Sequence, residues 1–340
     1  MPRSHPATES LQNYFVPLCH CKSRSIGRQK YSSVKASICL ALFQVVSLGL
    51  FAQQFKPGLP GMAPTKWISY RNVHAPGRVY QGVSGNSSRY TLEECYVKAY
   101  IPVAIKSRFA LAVAPYYRSE NFEIKGTGAY AGEQLSTWNL RSVGLDIKSL
   151  ICLDSAFWMI NTANISKSGN VTGTSLANVP LTYTISSVFM KRRSPDTEMG
   201  IGIMVNKSNN FLVLPVFVYN HNFSTRTGVE ITLPHKVAWR YNLSSSDIFY
   251  IKSEANTRSY FLPQLTSDDH DVFRRIDVDM GIAYNRSFTS FMGAELFAGY
   301  RKNLSTRLPG TVIAVQNSGC FVTFDLYLKV PERLRLNKRK

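Results

Sequence analysis

Charge is scarce in this sequence, and catalytic signatures are missing from it. Asp, Glu, Lys and Arg make up 18% of the 340 residues, against about a quarter in an ordinary soluble domain, so a chain of long, charged surface helices is excluded. Acids are the scarcer sign, 21 against 40 Lys and Arg. Six cysteines, at positions 19, 21, 39, 95, 152 and 320, share no short spacing apart from Cys19-His20-Cys21. Those two thiols lie too close for a tetrahedral zinc knuckle, and the remaining spacings exclude a complete disulfide framework. No GxSxG, Walker, GxGxxG or HExxH pattern occurs, which leaves enzymatic chemistry without support and predicts no metal or cofactor. The one enzymatic alternative is an outer-membrane hydrolase whose Ser, His and Asp or Asn meet only in space. His74, His221, His235 and His270 stand apart from one another and read as turn or surface residues. Beyond residue 52 no stretch approaches 18 apolar residues, so no membrane-spanning helix is predicted there.

What is present begins with an address. Residues 38–52, ICLALFQVVSLGLFA, form an apolar run after Lys30 and Lys35 that ends on the small Ala52. A basic flank, about 15 apolar residues and a small residue at the junction describe a secretory signal peptide. The run falls short of the roughly 20 residues a spanning helix needs. Residues 34–52 are therefore expected to be the signal, cleaved after Ala52, with initiation at Val34. Residues 1–33, which lack periodicity, read as a non-native or gene-model extension. Residues 53–330 form the main body and 331–340 a basic tail.

Along that body apolar residues recur at every second position, the period of a strand. In CFVTFDLYLKV, Cys320, Val322, Phe324, Leu326, Leu328 and Val330 alternate with Phe321, Thr323, Asp325, Tyr327 and Lys329. The same pattern runs through EMGIGIMVN, HKVAWRYNL, DVDMGIAYN and SFMGAELFAGYR. Strands are predicted near 66–73, 95–104, 108–118, 137–149, 156–167, 182–191, 197–206, 210–220, 224–233, 236–243, 248–258, 274–285, 288–301 and 319–330. Short turns alternate with long connections at 74–94, 119–136, 168–181, 259–273 and 302–318. The connections 207–209 and 234–235 break that alternation, being short where long ones are due. Strands of about ten residues, short turns at one end and long loops at the other predict an all-β fold: a transmembrane antiparallel up-and-down β-barrel of about 14 strands, with 12 as the rival count. A soluble sandwich with the apolar list facing a core is the alternative.

The segments YVKAYIPVAIKSRFALAVAPYYRSENFEI, FLVLPVFVYNHNF and GVEITLPHKVAWRYNLS, after a signal ending FAQQ, resemble an uncharacterised family of outer-membrane β-barrels from Bacteroidota, one carrying a domain-of-unknown-function label of the DUF6268 kind. The resemblance covers most of residues 60–330. It implies a barrel in the bacterial outer membrane and supplies no active-site residues.

One constellation in the register predicts a lumen. Inward positions on the strands over 236–258 are mostly basic: Lys236, Arg240, Lys252 and Arg258, with Glu254. Those on the last three strands are mostly acidic: Asp277, Asp279, Glu295 and Asp325, with Arg301 and Lys329. Either a transverse field orders passing solutes, or the two walls meet as salt bridges that fill the lumen. The predicted function is a pore or a small-solute binding and passage protein. The alternative is a barrel serving a secretion or surface-assembly complex through its loops 74–94, 119–136 and 302–318. Expected partners are outer-membrane lipid, lipopolysaccharide phosphates and a small solute. Nucleic acid is not expected, because apart from Lys191-Arg192-Arg193 and the tail the basic residues are scattered singly. Oligomeric state is not legible.

Overall fold

The computed structural model describes residues 57–81, 87–125, 138–171, 176–208, 211–262, 272–307 and 318–329. The expected extension 1–33, the signal 34–52 with its cleavage at Ala52, and the tail 331–340 lie outside the described residues, as does His270.

Alternating sequence has become strand throughout. In chain order these are β1 (Lys66–Gln81), β2 (Ser87–Ala99), β3 (Ile101–Ile105), β4 (Phe109–Lys125), β5 (Leu140–Cys152), β6 (Phe157–Asn170), β7 (Leu181–Ser194) and β8 (Thr197–Lys207). There follow β9 (Phe211–Asn222), β10 (Thr227–Leu233), β11 (Lys236–Asn242), β12 (Asp247–Phe261), β13 (Val272–Ser287), β14 (Met292–Arg307) and β15 (Gly319–Lys329). Neighbours pair antiparallel, and β1 pairs with β15, which closes the sheet. β2 and β3 both pair with β4, Lys98↔Tyr116 and Ile101↔Val113, so they are one stave interrupted at Tyr100. The fifteen strands thus form a closed up-and-down barrel of fourteen staves. Its turn end carries the connections 106–108, 153–156, 195–196, 223–226, 243–246 and 288–291 and both described chain ends; its loop end carries the others, the two-residue connection 234–235 among them.

The face assignment follows the alternation. Ile201, Ile203, Ile251 and Ile282 point outward and are 58–69% exposed, while Asp325, Tyr327, Glu198 and Arg240 are at most 2% exposed and point inward. A soluble sandwich would invert this arrangement. An apolar exterior around a polar interior is the surface of a barrel that meets hydrocarbon. Small inward residues make room for large ones: at Gly293, opposite Tyr327 in the ladder, an added Cβ would come within 2.6 Å of the tyrosine oxygen. Ile282→Arg is expected to destabilise the barrel by about 2–4 kcal/mol, the cost of an arginine on the lipid face near the bilayer midplane. Urea unfolding in lipid vesicles checks this; an unchanged midpoint would place residue 282 in water.

The strands run further toward the loop end than their outward hydrophobicity predicts. The expected loop 74–94 is largely strand, β1 continuing to Gln81 and β2 beginning at Ser87. β4 continues to Lys125 and β14 to Arg307 into the expected loops 119–136 and 302–318. At the turn end, His221, expected in a turn, lies within β9, where its ring stacks on Tyr219 and its Nδ1 is 2.8 Å from Thr197 Oγ1. Ladder hydrogen bonds and inward packing sustain these extensions, and neither leaves an apolar outer face to read.

Candidate functional site

The described strands enclose a lumen, and its contents differ from end to end. At the turn end, the segment before β1 enters the barrel. Leu59 is buried, and the adjoining backbone is held from several staves. Gly58 O accepts a hydrogen bond from Arg192 (3.3 Å), Pro60 O accepts from Asn222 Nδ2 (3.1 Å) and Arg240 (3.4 Å), and Ala63 N donates to Tyr250 Oη (3.2 Å). Gly58 and Gly61 take positive φ of 95° and 79°, which lets this strap turn within the mouth. Beneath Arg240, the Glu230 carboxylate accepts from Arg240 at 3.1 Å, Lys236 at 3.0 Å and Tyr250 at 3.3 Å.

Further in, one half of the lumen is crossed by two chains of alternating charge. The first runs Arg71–Asp325–Lys66–Glu295–Lys252–Glu254, with links of 3.1, 2.8, 3.4, 2.7 and 2.9 Å. The second runs Arg118–Glu94–Arg258–Glu120–Arg275–Asp277, with links of 3.1, 3.2, 3.2, 3.1 and 2.6 Å. Arg301 pairs with Asp279 beside it. Each chain carries three cations and three anions, so the transverse field allowed by the sequence cancels locally. The space left among Arg71, Glu94, Lys252, Arg258, Asp279 and Arg301 is about 20 Å³, close to the room one water needs. Toward the loop end an apolar cluster of Ala75, Leu92, Phe122, Leu140, Tyr260 and Phe273 fills the same half, with Phe122 set edge-on to Phe273. This half is plugged.

The other half is open. At its tip β12 leans across the lumen and meets β6 in a parallel bridge, Phe261↔Gly169, with Val179 packed on the glycine. Between β12 and the inner faces of β4–β9 lies a cavity of about 1010 Å³. Its deep wall is neutral and polar: Ser142, Asn164, Ser166, Ser168, Thr182 and Thr184. Hydroxyls join these strands laterally, Ser168 to Ser142 at 2.7 Å and Ser166 to Thr182 at 2.9 Å. An apolar cluster, Trp158, Val188, Met190 and Val216, lies nearer the turn end.

All eleven residues read as lumenal lie on the inner wall, yet their partnerships differ from the two-wall picture. Lys252 reaches Glu295 across that divide, whereas Lys236 and Arg240 pair with Glu230, and Arg258 with Glu94 and Glu120. Asp325 takes Lys66 and Arg71, and Lys329 sits inward at the turn end. The residues that sequence reading missed are these partners. Glu94 and Glu120 fell in stretches read as loops, and the strap carries no periodicity at all. Among the described residues no group of three His, Cys, Asp or Glu is placed to hold a metal ion, and the cysteines there, Cys95, Cys152 and Cys320, are unbridged.

The profile of a family described as "Domain of unknown function (DUF6268)" matches residues 131–307, just over half of the chain. The chain belongs to that family. The matched region spans β5 to β14 and so holds most of the cavity wall, the β10–β11 hairpin and the acidic inner positions of β13 and β14. No curated protein matches. Among solved structures, the outer-membrane channel COG4313 from Pseudomonas putida F1 is similar at 10% identity and a TM-score of 0.43, covering 81% of this chain and 100% of its own. The Pseudomonas putida toluene transporter TodX gives 8%, 0.35, 84% and 96%, and the translocator domain of autotransporter NalP from Neisseria meningitidis 10%, 0.32, 87% and 97%. All three scores lie below 0.5; the DUF6268 barrel closes through its own β1–β15 pairing.

Proposed function

We propose that this protein is a bacterial outer-membrane barrel that binds a small solute in its lumen and passes it when the strap at residues 57–63 withdraws. The observation that carries this reading is the cavity of about 1010 Å³ in a barrel whose other half is filled. A barrel serving only as a membrane anchor gains nothing from such a space, and small barrels ordinarily fill with side chains. Serine, threonine and asparagine on the deep wall offer hydrogen bonds without fixing a charge, which suits reversible occupancy. The turn end then faces the periplasm and the loop end the cell exterior, so the strap closes the periplasmic side. The outer membrane is the membrane that accepts closed barrels of this kind, and the predicted signal peptide supplies export.

Thiol labelling tests this directly. In a background with Cys95, Cys152 and Cys320 changed to Ser, Thr184→Cys is expected to react rapidly with a membrane-impermeant methanethiosulfonate added to intact cells. Asn222→Cys, beneath the strap, is expected to stay protected. An inert Thr184→Cys in a correctly folded barrel would remove the solute cavity from the account.

A further inference from the structure

Among the described residues the barrel wall is notched beside this cavity. β10 and β11 are seven residues each, while β12 and β13 have 15 and 16. At about 3.3 Å per residue and about 40° of tilt, seven residues rise roughly 18 Å, short of the roughly 25 Å apolar band of such barrels. The β9–β10 ladder stops at Phe217↔Leu233 and the β11–β12 ladder at Lys236↔Glu254. His235 latches the hairpin tip to β12, its Nδ1 2.8 Å from Ala255 O. Above that tip, β9 from 211 to 216 and β12 from 256 to 260 face each other across a notch with no described strand between them.

The chemistry around the notch is graded. On β9 the inward residues there are Leu212 and Leu214, bordered by Phe211 at 66% exposure, whereas the inward wall further round is hydroxyl and amide. Across the notch, the outward positions of β12 and β13 that line the cavity are mixed, with Thr257, Ser259 and Arg274 standing among Val272 and Ile276. They line the cavity because β12 leans inward to β6. Arg274 stands directly opposite Arg307 in the β13–β14 ladder, a like-charge pair that costs stability unless an anion lies near. Both arginines line the cavity, and among the described residues neither has a carboxylate partner; Arg274 Nε is buried without a hydrogen-bond acceptor.

We propose that the notch is a lateral entrance through which a single-chain amphipathic molecule with an anionic head passes between bilayer and cavity, its head held by Arg274 and Arg307 and its apolar part by Leu212 and Leu214. This deepens, and rests on, the reading of the barrel as a solute-binding protein. A volume of about 1010 Å³ is at the upper end for drug-sized ligands, about 300–1,000 Å³, which admits one chain and excludes a whole lipopolysaccharide anchor with its several acyl chains.

The test uses the mature barrel in phosphatidylcholine nanodiscs, titrated with the fluorescent amphiphile 11-(dansylamino)undecanoic acid and with its primary amide. The acid is expected to bind saturably and the amide at least about tenfold more weakly, a difference of about 1.4 kcal/mol. Arg274→Gln with Arg307→Gln is expected to abolish that preference, and Leu212→Asp to weaken both probes, each variant retaining heat-modifiable migration as proof of folding. Competition separates sources: decanoate is expected to displace the probe and purified lipid A to leave it bound. Equal binding of acid and amide, an unchanged preference in the double arginine variant, or displacement by lipid A would each overturn the proposal. Acid-selective binding in a barrel whose Thr184→Cys stays inert to external reagent would keep the lateral site and remove only solute uptake from the cell exterior.

Discussion

Removing residues 57–63 is expected to convert a barrel with little or no steady conductance into one with stable ohmic openings in planar bilayers. The space left among the two charge chains is about that of one water, so this half of the lumen is expected to carry no current in either form. Current must run through the cavity half, whose turn-end mouth the strap occupies. Gly58 O, Pro60 O and Ala63 N are bound by Arg192, Asn222, Arg240 and Tyr250, side chains drawn from β7, β9, β11 and β12, so the strap crosses that mouth. Hydrogen bonds from charged donors contribute about 1.5–3 kcal/mol each, enough to keep the strap seated and few enough to let it leave. A second variant guards against misfolding: Pro60→Cys with Asn222→Cys, in the cysteine-free background, is expected to lock the barrel shut under oxidation and reopen it to wild-type behaviour on reduction. Equal conductance with and without the strap, in barrels that fold, would refute its role as a closure.

Replacing Glu120 by Gln is expected to cost about 3–5 kcal/mol, the usual consequence of removing one partner from a buried ionic network. Glu120 is fully buried and accepts from Arg258 Nε at 3.2 Å and from Arg275 at 3.1 Å. Without its charge two guanidiniums, already opposite one another in the β12–β13 ladder, face each other around a neutral amide. Glu93→Gln, where carboxylate and His74 partner are each 47% exposed, is expected to change stability by about 0–1 kcal/mol. Urea midpoints of the two variants in lipid vesicles provide the comparison. A loss at Glu120 no larger than that at Glu93 would show that the second charge chain does not hold the plugged half together.

How much of this was legible follows from the range of each interaction. A strand inside a barrel alternates because its immediate neighbours alternate, so Val322, Phe324 and Leu326 against Thr323, Asp325 and Tyr327 can be read from a few consecutive residues. The stave count and the inward placement of Lys252, Asp279 and Arg301 followed from that local signal. Partner identity did not, because it is set across the lumen: Arg258 meets Glu120 at a separation of 138 residues and Glu94 at 164. The upper ends of β1, β2 and β4 were missed since their outward residues leave the apolar band, and with them went Glu94 and Glu120. The notch left a trace, the two-residue connection 234–235 where a long loop was due. The lean of β12 onto β6 left none; it depends on Gly169 giving Phe261 and Val179 room to approach.

The central claim is that β1 to β15 form a closed barrel that spans the outer membrane. Electrophoresis of the outer-membrane fraction, with and without boiling in detergent, tests it most directly. A closed barrel is expected to resist unboiled detergent and migrate faster than its boiled form, and to be found in that fraction. A single mobility regardless of heating, or a protein recovered in the soluble fraction, would contradict it.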